Sequence, residues 1–168
     1  MKAVGGCISV VALVFVILLG LMMGVGYIQY NRHCGGYLKL AADSNTIELA
    51  KENLTKAIAY CDSNDMTSGN SSVLWNIPQN DVGFWYRNLK SSMEELETVS
   101  PATTQLEKTN VLMKLRESLV DNGEKGTSVT APSNLSVYPY QRLVVPLFWT
   151  FVIFLVIGIV VAGLGSEL

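Results

Sequence analysis

Residues 3–31 carry no charged side chain, and neither do residues 143–166. The runs "VALVFVILLGLMMGVGYI" and "LVVPLFWTFVIFLVIGIVVAGLGS" lie inside them. A helix needs about 20 apolar residues to cross roughly 30 Å of hydrocarbon, and both runs are long enough. A soluble helix that is apolar on every side needs a large core around it. The rest of a 168-residue chain cannot supply such a core twice. The fold class expected is an all-α membrane protein, two transmembrane helices flanking a small helical-bundle extramembrane domain of coiled-coil-like character. The expected boundaries are 1–30 for the N-terminal span, 31–142 for the domain and 143–168 for the C-terminal span.

The first span reads as an uncleaved signal anchor. A signal peptide has an apolar core of about 7–15 residues followed by a small-residue cleavage site. Here the core is far longer and "GYIQYNR" offers no such site. Tyr27, Tyr30 and Arg32 instead read as membrane-interface anchors, with aromatic rings at headgroup level and a cation just beyond. Tyr138, Tyr140 and Arg142 mirror them before the second span. Within the spans, Gly20 with Gly24 and Gly158 with Ala162 form small-x-x-x-small pairs that let helix backbones approach closely.

Two single passes put both termini on one side and residues 31–142 on the other. Arg32, Lys39 and Arg142, set against Lys2, favour a cytoplasmic domain if counted naively. Connecting segments longer than about 60 residues escape that rule, and the "MK" start before a long apolar run resembles a signal anchor. The domain is therefore expected on the translocated, periplasmic or extracellular, side, with both termini cytoplasmic and no output domain there.

The domain reads as two or three helices. Leu40, Ile47, Leu54 and Cys61 recur every seven residues, with Ser44, Ala50 and Ala57 close to the alternate seam positions. That is helix-packing spacing, and it predicts one continuous helix over residues 37–61. A capping box at "NTIE", Asn45 to Glu48, offers the alternative of a break near Ser44. Residues 62–80 are rich in Asp, Ser, Asn and Gly and read as a loop. Asn80 or Asp81 then caps a second helix, with Trp85, Leu89, Met93 and Leu96 on its apolar face. A third helix starts at Ser100 with Pro101, or at the later Thr104 and Glu107 box. It carries Leu112, Leu115 and Leu119 and is expected to stop at Asn122 and Gly123. Residues 124–141 read as an extended return to the membrane.

Chemistry is scarce. The chain has one His and three Cys, and Cys7 lies in the first apolar run; structural zinc wants four closely spaced ligands. No nucleophile elbow or phosphate loop occurs, and Glu94, Glu95 and Glu97 read as a solvated helix face. No catalytic, cofactor-binding or metal residues are expected. Twelve basic against fourteen acidic residues leave no basic excess for nucleic acid. Cys34 and Cys61 invite a disulfide in an exported domain. A continuous helix over residues 37–61 would put its ends roughly 36 Å apart, leaving Cys34 and Cys61 far beyond the ~7 Å between Cα atoms that a disulfide allows.

A small bundle with few large apolar residues per helix buries little, so partners beyond membrane lipid are expected. Leu40, Ile47 and Leu54 on the seam, and Phe84, Trp85 and Tyr86 in the aromatic cluster, are the candidate partner contacts; for the cluster the plainer reading is core and loop cover. The expectation is a non-enzymatic two-pass scaffold or accessory subunit, binding copies of itself or a larger membrane complex. A pore subunit and a ligand-sensing module acting through a partner are the alternatives. Uncharged spans speak against the first.

Overall fold

The computed structural model describes residues 2–123 and 126–164. Residue 1, the last four residues of the C-terminal span and positions 124–125 of the expected return segment lie outside the described residues. The chain is mostly helical, in the order α1 (Lys2–Tyr30), a π-turn (Asn31–Gly35), α2 (Gly36–Ala42), α3 (Ile47–Ser63), α4 (Val82–Thr98), α5 (Gln105–Leu119), β1 (Val120–Gly123), β2 (Gly126–Val129) and α6 (Gln141–Leu164).

Two helical stretches are long and apolar enough to cross a membrane: Ala3–Ala42, unbroken through the π-turn, and Gln141–Gly163. α1 and α6 lie side by side. Their backbones come close near Gly5, where an added Cβ would sit 2.8 Å from the Ala162 nitrogen and 2.9 Å from the Gly158 oxygen. Ser9 donates back to the Gly5 carbonyl at 2.9 Å, a bond that keeps its hydroxyl satisfied inside an apolar pair. Further along, Phe15 and Phe151 stack with ring centroids 4.4 Å apart.

The expected continuous helix over residues 37–61 is not what forms. The chain reverses at residues 43–46, and α2 packs back against α3. Asp43 closes α2 with its N–H on the Lys39 carbonyl at 2.9 Å. The Ser44 hydroxyl donates to the Leu40 carbonyl at 2.7 Å. Thr46, extended at φ −133° and ψ 151°, caps α3 by accepting from the Leu49 N–H. The polar run Asp43-Ser44-Asn45-Thr46 supplies groups for both helix ends, and this local satisfaction outweighs the heptad that crosses it. The seven-residue seam is thereby split. Leu40 is 55% exposed, whereas Ile47, Leu54 and Cys61 are buried.

α2–α5 enclose one apolar core, with Leu38, Leu54, Leu89 and Leu96 fully buried. Each such burial stabilises by about 1.5–3 kcal/mol. α4 begins where Asp81 accepts from the Phe84 N–H at 2.8 Å. α5 uses the Thr104 and Glu107 capping box rather than Ser100 and Pro101. Its end is also corrected. α5 stops at Leu119, and β1 pairs antiparallel with β2, Val120 opposite Val129. The return segment is therefore partly strand, and a 3₁₀ turn at Leu135–Val137 follows.

Candidate functional site

Two structural features sit where the domain meets α1 and α6. The first is the π-turn. It inserts one extra residue into the helix and so rotates everything downstream by about 100°. Gly36 makes it feasible, since a Cβ there would lie 2.7 Å from the Asn31 oxygen, its own hydrogen-bond acceptor. The turn aims Cys34 into the core. Its Sγ lies 3.7 Å from that of Cys61, and both residues are fully buried. The pair that a continuous helix would separate is thus in contact, because α3 returns antiparallel beside α2. Tyr60 lies alongside, its phenol pushed up by burial and by the two nearby thiols. His33 stacks on Tyr60 with centroids 6.0 Å apart.

The second feature is a collar around the start of α6. Gln141 donates to the Asn70 carbonyl at 3.0 Å, and Arg142 Nε to the Ser72 carbonyl at 3.2 Å. Arg142 also bonds the Asn76 side chain. Tyr138 donates to the Ser68 carbonyl, and burial pushes its phenol up. Gly69 is required there. Its φ is +88°, and an added Cβ would meet the Tyr138 hydroxyl oxygen at 2.7 Å. Inside the loop, the Ser71 N–H donates to the Asn80 carbonyl at 2.9 Å, Asn70 donates to the Ile77 carbonyl at 2.9 Å, and Asn80 reaches Ser72 Oγ at 3.1 Å. Asn80 Oδ1 also accepts from the Ser133 N–H. These polar groups of the loop therefore turn inward. Leu74 and Trp75 turn outward, 70% and 76% exposed.

The sequence-derived residues fall into distinct places. Tyr27, Arg32 and Tyr140 are exposed at this level, while Tyr30 and Tyr138 pack against the domain core. Arg142 bonds within the collar. Gly158 and Ala162 face Gly5, but a methyl added at Gly24 would have nothing within 4 Å, and one at Gly20 only the Phe148 ring at 3.7 Å. Ile47 and Leu54 are enclosed by the domain itself. Trp85 is also core, donating its indole N–H to the Thr130 carbonyl at 3.0 Å. Tyr86 donates to Asp62 at 2.5 Å, a bond that holds its phenol up at about 12. Phe84 is exposed. Sequence reasoning missed Gly5 with Ser9, a small-x-x-x-small pair in plain sight, and the apolar tip of the loop.

Comparison with protein-family models, curated proteins and solved structures finds no match for this chain.

Proposed function

We propose that the protein is a non-enzymatic two-pass membrane scaffold or accessory subunit, associating with copies of itself or with a larger membrane complex. Its domain would stand on the translocated side and both termini in the cytoplasm. The observation that carries this reading is the outward surface of α1 and α6. Leu18, Leu21 and Val25 on one helix and Ile153, Val156 and Ile159 on the other are all exposed. Soluble monomers rarely leave a contiguous apolar patch above a few hundred Å² uncovered, and lipid or a partner helix is what covers such a surface.

Association is assigned to the helices rather than to the domain. The seam residues Ile47 and Leu54, natural partner contacts in the sequence, are buried in the domain's own core. The groove along α1 lined by Ile17, Gly20, Leu21, Gly24 and Phe148 is not filled by α6 and would admit a neighbouring helix. Alkaline extraction of membranes, followed by mass measurement of the intact assembly in mild detergent, tests the proposal. The chain should resist extraction and migrate as more than one copy or with co-purifying chains. Release by alkali, or a lone monomer, would contradict it.

A further inference from the structure

We propose that Leu74, Trp75 and Ile77 form a third membrane contact, a rigid loop tip that dips into the headgroup layer of the leaflet from which α6 departs. The inference rests on the two-pass reading. Its ligand is the lipid interface.

Position comes first. The loop is bonded to the opening turn of α6 through Gln141 and Arg142, so its height is fixed relative to that helix. Tyr140 and Leu143, on either side of the two residues that hold the loop, are themselves exposed. Composition agrees. Residues 66–80 contain no charged side chain, although Asp65 and Asp81 flank them on either side. An exposed loop of a soluble domain has no reason to exclude charge while showing Leu, Trp and Ile to water. At an interface that combination is favoured, because the indole ring is apolar in body with a polar N–H edge and sits at headgroup depth. Architecture agrees as well. The groups that flank the tip are bonded inward: Asn70 donates to the Ile77 carbonyl, Asn80 to the Ser72 hydroxyl, and Arg142 to the Ser72 carbonyl. At headgroup depth water still reaches the peptide groups of the tip, and the braced loop loses little freedom on docking.

The full-length chain reconstituted in phosphatidylcholine vesicles tests this. Trp75→Phe alters an exposed ring and leaves the buried Trp85 alone, so the difference between wild type and this variant isolates the Trp75 emission. Trp149, ~12 Å along α6, reports on the span itself. Lipid brominated near the top of the acyl chain should quench most of the Trp75 emission, and aqueous iodide should leave it unchanged. Quenching by iodide but not by bromolipid would overturn the proposal, as would protection from both, which would mean that protein covers the tip. In either case continued quenching of Trp149 by bromolipid would leave the two-pass reading standing. Loss of the Trp149 response too would overturn both.

Discussion

Refolding the chain from urea in a glutathione redox buffer, which reaches both thiols before the core closes, should join Cys34 to Cys61 within one molecule. The two Sγ atoms lie 3.7 Å apart, and a disulfide needs about 2.05 Å. The closing movement is small and takes place where both residues are held by packing. The crosslink closes a loop of 27 residues, for which the chain-entropy relation gives about 3.5 kcal/mol of stabilisation before any strain. At a urea slope of about 1–3 kcal/mol per molar, the midpoint of domain unfolding should rise by roughly 1–3.5 M. Peptide mapping without reductant identifies the bond, and Trp85 emission follows unfolding in detergent with and without reductant. Two results would refute the reasoning: cysteine pairing only between chains, or a Cys34–Cys61 bond that lowers the midpoint. The first would mean that α3 does not return beside the π-turn, the second that the packing there does not hold the two cysteines ready to join.

Three other substitutions or conditions probe separate parts of the fold. Leu54→Ala empties a fully buried site and should cost about 2–5 kcal/mol of domain stability in a denaturant titration. Gly5→Leu places atoms against the backbone of residues 158 and 162; it should lower the melting temperature in detergent by the equivalent of about 1–3 kcal/mol, while Gly6→Leu, with nothing within 4 Å, should not. Alkali should weaken the domain through Tyr86, because the folded protein keeps to about 12 a phenolic proton that the unfolded chain releases near 10. The stability is thus complete below pH ~10 and declines between about 10 and 12. Tyr86→Phe should flatten that decline in urea midpoints measured across the range.

The apolar helices are legible in the sequence because twenty residues of one character override any local signal. The Asp81 cap and the Thr104 and Glu107 box are legible because helix ends are satisfied within four residues. The reversal at 43–46 is obscured by a heptad that continues across it by coincidence. Leu40 fits the count yet faces outward, and the better signal is four short polar residues in a row. The π-turn has no comparable signature. A single inserted residue is decided by what Cys34 meets in the core, which depends on α3 coming back to the same place. Asn122 and Gly123 read as a helix stop because Asn-Gly serves a helix end and a hairpin equally, and the choice shows only once Val129 is placed opposite Val120. At the junction, Arg142 is sited near α6 by its position, but its partners lie some seventy residues away in the loop.

The two-pass arrangement is tested most directly by locating three single thiols across the membrane. In a chain with Cys7 replaced by Ser, the buried Cys34 and Cys61 are shielded from a bulky impermeant maleimide. Ala3→Cys, Asn88→Cys and Glu167→Cys then report on the two ends and on the exposed face of α4. The account predicts that Asn88→Cys reacts in intact cells and that the other two react only after permeabilisation. Labelling of Ala3→Cys and Glu167→Cys from opposite sides would contradict it, since only one of the two helices would then cross.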